Sequence, residues 1–92
     1  SWFVLANARY AQGDKHAAER ALRNSVQHDS SFAPGWFNLS QILAERGCGT
    51  QASMARTCAV RLAPEDERVR AELPPGGSQS GACKAPPACP VQ

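Results

Sequence analysis

Apolar residues in the first 73 positions recur at helical rather than alternating spacing. Trp2, Leu5 and Ala6 follow the i, i+3, i+4 pattern of an amphipathic helix. The pattern returns after Gly13 and Asp14, which suit a helix end and a helix start. The spacing therefore predicts an all-α fold, with helices over 2–12, 15–28, 34–46, 50–62 and 65–73.

The pattern also repeats as a whole. A shift of 34 residues aligns identical residues at seven positions without a gap. The same shift pairs Ala6 with Ser40, which keeps a small side chain where helix backbones would approach closely. A period of this length is typical of stacked helical hairpins. The matched pairs are Trp2/Trp36, Phe3/Phe37, Leu5/Leu39, Gly13/Gly47, Ala18/Ala52, Ala21/Ala55 and Val26/Val60.

The repeated unit resembles the tetratricopeptide repeat, whose pattern runs W-x2-L-G-x2-Y, then A-x3-F, then P. Trp2 and Leu5 in the first unit match it, as do Trp36, Leu39 and Pro64 in the second. The resemblance implies an α-solenoid of antiparallel helix-turn-helix repeats over residues 1–73. Its parts are repeat one at 1–33, repeat two at 34–64 and a capping helix at 65–73.

The sequence departs from that family pattern at four positions. Arg9 and Leu43 occupy the tyrosine slot, Arg56 the second phenylalanine slot and Ser30 the first proline slot. We expect these departures to weaken the packing between helices without changing the period.

The composition changes at Pro74. Residues 74–92 hold five of the seven prolines and, in Val91, a single large aliphatic side chain. So little apolar surface does not offset the entropy of ordering a chain, which predicts a disordered tail over 74–92.

Repeats of this kind bury their apolar faces against each other, and about three are usually needed. Two are present, and Trp2 has no evident partner in the sequence. The chain opens on Ser1 rather than Met. We therefore expect it to belong to a longer repeat array with further units upstream.

The four cysteines are ambiguous. Cys48 lies in the turn before the predicted helix 50–62, and Cys58 lies ten residues later inside that helix. Ten residues of helix rise about 15 Å, which is too far for a disulfide between the two cysteines. We predict that both are free thiols. Cys83 and Cys89 lie in the predicted tail and would close a small loop in an oxidising compartment.

The small net charge and the lack of recognisable catalytic motifs favour a non-catalytic binding module. A net charge of +2 is too weak to predict a nucleic acid partner, and the longest apolar run, 2–6, is too short for a membrane span. His16 and His28 lack partners at zinc-site or nucleophile spacing, and the acids at 65–67 suit a helix N-terminus. We expect no enzyme activity, cofactor or metal. We expect a soluble protein of unknown location, with the cytoplasm favoured slightly over the periplasm or secretion.

The family resemblance implies binding of a protein or peptide partner in a concave groove lined by the inner helix of each repeat. Aromatic rings offer apolar anchors, and amides can bond a peptide backbone. Phe3 stands where the carboxylate-clamp subset of the family would carry a lysine, which argues against that subset. The predicted partner-binding residues are Phe3, Asn7, Tyr10, Phe37, Asn38, Gln41 and Glu45, with Ala11 beside them.

Three alternatives stay open at this point. Phe3 and Phe37 would simply extend the core if the groove were not a site. The repeats would be a C-terminal appendage if the parent protein were a larger enzyme such as a glycosyltransferase. RNA binding, as in pentatricopeptide repeats, is disfavoured by the 34-residue period and the modest charge.

Overall fold

The computed structural model describes residues 1–79 and 81–89. Within these ranges it contains helices and no strands, which confirms the predicted all-α class. The helices are α1 (Trp2–Ala11), α2 (Lys15–His28), α3 (Ala33–Glu45), α4 (Gly49–Leu62) and α5 (Glu67–Arg70), and each packs against the next along the chain. None of those described is long and apolar enough to cross a bilayer.

The backbone repeats with the period seen in the sequence. Helix α4 begins and ends 34 residues after α2. Gly13 and Gly47 close the first helix of each pair with φ values of +82° and +80°, which side chains with a Cβ rarely adopt. In both turns the residue after the glycine donates its N–H to the carbonyl five positions back, at 3.0 Å and 2.8 Å. The two hairpins therefore share one turn geometry.

The core lies between the two hairpins. Trp36, Leu39 and Leu43 on α3 have no exposed surface, and Leu22 and Val26 on α2 are almost fully buried with them. Small residues allow the helix backbones to approach, and those that are completely buried are Ala18, Ser40, Ala52, Ala55 and Ala59. Burial of both Ala6 and Ser40 agrees with the pairing that the 34-residue shift predicts.

The last helix is shorter than the predicted 65–73. It covers four residues and stops at Ala71, whose backbone is extended with ψ 152°. The Ala71 carbonyl accepts a hydrogen bond from Arg56 at 2.6 Å instead of continuing the helix. Pro74 follows close behind, and a proline disfavours helical backbone in the residue before it. A tertiary contact thus ends the helix early.

Arg56, which departs from the family pattern, is a structural hub. It is 7% exposed and donates through Nε to Ser40 Oγ and through Nη2 to Gln41 Oε1, both at 2.9 Å. Its guanidinium carbon lies 4.7 Å from the centre of the Phe37 ring. Burial lowers the pKa of this guanidinium. The arginine therefore joins α3, α4 and the segment after α5 through polar contacts where the family pattern has phenylalanine packing.

Two disulfides correct the prediction for the cysteines. Cys48 is bonded to Cys83 and Cys58 to Cys89, with Cα–Cα distances of 5.6 Å and 5.7 Å. The prediction of free thiols at Cys48 and Cys58 is therefore wrong, and the Cys83–Cys89 loop considered for an oxidising compartment does not form. No bond joins Cys48 to Cys58, as their spacing predicts, but nothing in the sequence indicates that Cys83 and Cys89 lie along α4.

The predicted disordered tail over 74–92 does not hold for its described part, which is 74–79 and 81–89. The two disulfides anchor this part to α4, and Leu73 just before it packs against the core. Cross-links and arginine hydrogen bonds here compensate for the apolar surface that the composition lacks. Residue 80 and residues 90–92 lie outside the described residues.

Candidate functional site

A cleft of about 230 Å³ lies on the side of the molecule formed by α1 and α3. Residues of these two helices face it because they recur at spacings of three and four positions. Six of the seven predicted partner-binding residues line it. They are Asn7, Tyr10, Phe37, Asn38, Gln41 and Glu45.

The floor of this cleft is apolar. Ala6, Leu22 and Ile42 line it, and each is no more than 3% exposed. These three residues were missing from the predicted site. The helical spacing marks Ala6 and Leu22 as core positions, so the pattern identifies them without revealing that their buried side chains also underlie a cleft.

Two amides face each other on the rim. Asn38 Nδ2 donates to Asn7 Oδ1 at 3.3 Å, which joins α1 to α3. An amide group has two donor hydrogens and an acceptor oxygen. Each asparagine therefore keeps hydrogen-bonding capacity for a ligand backbone after making this contact.

A carboxylate sits at the other end of the cleft. The Tyr10 hydroxyl lies 2.9 Å from both carboxylate oxygens of Glu45, to which it donates. Lys15 Nζ is 3.5 Å from Glu45 Oε1. The hydrogen bond to Glu45, followed by burial and the negative charge of that carboxylate, raises the pKa of Tyr10. The phenol therefore stays protonated at neutral pH.

Phe3 lies outside this cleft. Its ring meets Phe32 edge-on with 5.0 Å between the ring centres. It lines an adjacent cleft of about 220 Å³, to which Phe37 and Asn38 also contribute. Both Phe3 and Phe37 are half-buried and pack against the core. Of the seven predicted residues, Phe3 is thus the one that the structure separates from the rest.

The two histidines are exposed, and one of them contacts a tryptophan. His28 stacks in parallel with Trp2, with 6.2 Å between ring centres and 5° between ring planes. Trp2 therefore has a partner within the chain, contrary to the expectation from sequence, although it is still 42% exposed. Of the acids at 65–67, Asp66 caps α5, since its side chain accepts from the Arg68 main-chain N–H at 3.0 Å.

Across residues 1–79 and 81–89, no three His, Cys, Asp or Glu side chains are grouped in a way that would hold a metal ion. Comparison of the chain with protein-family models, with curated proteins and with solved structures gives no match. The interpretation of the cleft therefore depends on its own geometry.

Proposed function

We propose that this protein is a non-catalytic interaction module that binds a peptide segment of a partner protein in the cleft between α1 and α3. The observation that carries the proposal is the convergence of six side chains from two helices on one cleft with an apolar floor. An extended peptide needs apolar contact for its side chains and hydrogen-bonding groups for its backbone, and this cleft offers both.

The chemistry of the lining residues favours binding over catalysis. Tyr10 is the one hydroxyl among them, and its raised pKa makes its phenolate scarce at neutral pH. The Glu45 carboxylate is already engaged by Tyr10 and Lys15. We accordingly propose a function that requires no cofactor.

The recurrence of helix ends and turns after 34 residues supports a tetratricopeptide-like arrangement. In such an arrangement α1 and α3 are the inner helices, which agrees with their side chains lining one cleft. The exposed Trp2 is consistent with membership in a longer array.

The disulfides change the expectation for the compartment. Two disulfides in a chain of 92 residues are typical of an oxidising environment and are rare in the cytosol. We therefore propose an oxidising compartment rather than the cytoplasm that the sequence slightly favoured.

The binding proposal is tested by selecting peptides from a displayed library on the oxidised chain. Asn38→Ala and Glu45→Gln alter the cleft without removing its floor, and each should weaken the selected peptides about tenfold by loss of a hydrogen bond. Met54→Ala is the matched control because Met54 is 46% exposed on α4 and does not line the cleft. Affinity is measured by isothermal titration calorimetry, with circular dichroism to verify that each variant is folded.

Nuclear magnetic resonance locates the bound peptide independently. We expect amide shifts to concentrate in α1 and α3 around Asn7 and Asn38. Selected peptides that instead shift residues of α2 and α4, and that bind all the variants equally, would refute the assignment of the cleft.

A further inference from the structure

A second surface of the molecule, away from the cleft, is already covered by an extended segment of the same chain. Residues 81–89, called here the tail segment, form neither helix nor strand and lie against α2, α4 and the turn before α4. We define the outer face as Glu19, Arg23, Arg46, Cys48 and Cys58. The structure thus shows both this surface and the kind of chain that covers it.

The outer face recognises the backbone of the tail segment rather than its side chains. Arg23 donates to the Lys84 and Ala85 carbonyls at 2.6 Å and 2.7 Å, and Arg46 donates to the Ala82 carbonyl at 3.0 Å. Hydrogen bonds from charged donors are stronger than those between neutral groups. Three main-chain oxygens are therefore held by two guanidinium groups.

A buried carboxylate fixes those guanidinium groups in place. Glu19 is 7% exposed and pairs with Arg23 on its own helix, at 2.9 Å, and with the 4% exposed Arg46. One carboxylate cannot use all the N–H donors of two arginines. The donors that remain are aimed at the tail segment, so the outer face is organised to hold carbonyl oxygens.

The two disulfides set the register of the tail segment. Cys48 and Cys58 are separated by about 15 Å along α4. The seven residues from Cys83 to Cys89 are joined by six Cα–Cα steps and span at most about 20 Å. Both bonds can therefore form together, and in the observed pairing the segment runs along α4 from Cys48 toward Cys58. The chain just before the tail segment passes close to the turn before α4. Glycine at position 47 allows this approach, since a Cβ on Gly47 would lie 2.8 Å from the Gln79 backbone.

We propose that the outer face is a docking site that the tail segment of a second copy of this protein can fill in trans, giving a disulfide-linked, tail-exchanged dimer. A second copy carries the same groups that hold the segment in cis, namely the two arginines and both cysteines. These groups have the same relative positions on both copies. The described residues of the linker before the segment, 74–79, contain no helix that exchange would have to break.

The exchange requires no net oxidation or reduction. The thiolate of a small thiol such as glutathione attacks the half-buried Cys83 sulfur and releases the Cys48 thiolate, which leaves a mixed disulfide on Cys83. The Cys48 thiolate of the second copy then attacks that sulfur and releases the small thiol again. The same steps at Cys89 and Cys58 complete the second link. The number of disulfides is unchanged, and the small thiol is regenerated.

Concentration sets the balance between the two forms. A tail on its own chain has an effective concentration in the millimolar range, so the cis form dominates in dilute solution. The exchanged dimer should therefore accumulate as the protein concentration rises toward that range. Its formation should also require the small thiol, because the disulfides otherwise lock the cis form.

Two complementary full-length variants test the proposal. The acceptor carries Cys83→Ser and Cys89→Ser, and the donor carries Cys48→Ser and Cys58→Ser. They are mixed in a buffer of glutathione and glutathione disulfide, where each new protein disulfide converts one glutathione disulfide into two glutathiones. We expect a heterodimer on non-reducing gels, with peptide mass mapping showing Cys48 joined to Cys83 and Cys58 joined to Cys89.

Arginine variants of the acceptor then test recognition by the outer face. Arg23→Ala should slow heterodimer formation about tenfold, because it removes hydrogen bonds from a charged donor. Arg20→Ala is the matched control, since Arg20 is an exposed arginine on the same helix. The same mixture in concentrated guanidinium chloride is the unfolded reference, in which the outer face cannot select a partner. Both registers should form there, Cys48–Cys83 with Cys58–Cys89 and Cys48–Cys89 with Cys58–Cys83.

A native mixture that links in both registers, as the denatured mixture does, would overturn the proposal. A native mixture that gives no heterodimer while both variants keep their helical circular dichroism would overturn it too. If a variant fails to fold, wild-type protein labelled with ¹⁴N and ¹⁵N is mixed at high concentration with glutathione instead. Mixed-isotope Cys48–Cys83 peptides then support the proposal, and pairs of one isotope alone refute it.

Discussion

The two hairpins, α1 with α2 and α3 with α4, share their turn geometry and the 14-residue length of their second helix but differ sharply in how they are buried. Trp36 and Leu39 are 0% exposed, whereas their equivalents Trp2 and Leu5 are 42% and 38% exposed. The residue types are identical at both pairs of positions. The difference therefore arises from what lies next to each hairpin and not from the hairpin sequence.

The second hairpin is covered on both sides. Helix α2 packs over α3, while α5 and the tail segment close the far side of α4. The first hairpin has α3 packed on one side, and its outer surface at Trp2 and Leu5 borders a shallow cleft that also contains Arg9 and Arg20. A repeat unit of this kind is thus buried only as far as its neighbours reach.

Truncation of the two tryptophans tests this comparison with the largest expected effect. Trp36→Ala should lower the free energy of unfolding by about 3–5 kcal/mol, because it leaves a cavity in the core. Trp2→Ala should lower it by about 1 kcal/mol, because a half-exposed ring loses less buried surface. Urea unfolding of the oxidised protein measures both. Equal losses would show that the first hairpin is covered as well as the second.

Removal of a disulfide should weaken the second hairpin more than the first. Cys58→Ser with Cys89→Ser opens a link between positions 31 residues apart, which should cost about 2–4 kcal/mol. Hydrogen exchange read by mass spectrometry should then rise in α4 and change little in α1. The paired variant Cys48→Ser with Cys83→Ser serves as a comparison for the other anchor. Exchange that rises uniformly along the chain would contradict this division between the hairpins.

Arg56 and Leu22 occupy equivalent positions, so Arg56→Leu gives the second hairpin the residue of the first. Leucine keeps apolar contact but loses the hydrogen bonds to Ser40, Gln41 and Ala71. The free energy of unfolding should fall by about 1–2 kcal/mol, with faster hydrogen exchange in α5. Arg70→Leu, at an exposed position of α5, is the control. Unchanged exchange in α5 would show that Arg56 does not hold that segment.

The smallest effect concerns Tyr10, which joins the two inner helices through Glu45. Its pKa in the folded protein lies above its ordinary value of about 10. The related stabilisation is therefore present below pH of about 10 and is lost as pH rises through the folded pKa. Tyr10 is the single tyrosine in the chain, so phenolate absorbance reports it directly. Glu45→Gln should move the pKa down toward its ordinary value, while Glu72→Gln should not. A pKa unaffected by Glu45→Gln would remove Glu45 as the cause.

Much of the candidate cleft could be predicted because its residues follow from helix periodicity. Asn7, Tyr10, Asn38 and Glu45 share a side of the inner helices once the helix register is known. Phe3 obeys the same periodicity but lines the neighbouring cleft, and its ring packs edge-on against Phe32. Periodicity gives the direction of a side chain from its helix, and the packing of the next segment then decides which space that side chain lines.

The order of helices, the 34-residue period and the glycine turns were readable from the chain alone because each depends on residues a few positions apart. The disulfide pairing, the path of the tail, the early end of α5 and the unequal burial of the two tryptophans were settled by folding in three dimensions. Each depends on contacts between segments far apart in sequence, such as Arg23 with Ala85 or Cys48 with Cys83. Local preferences carry no information about which distant partner a side chain will meet, and those contacts are what hold the tail segment, residues 81–89, in place.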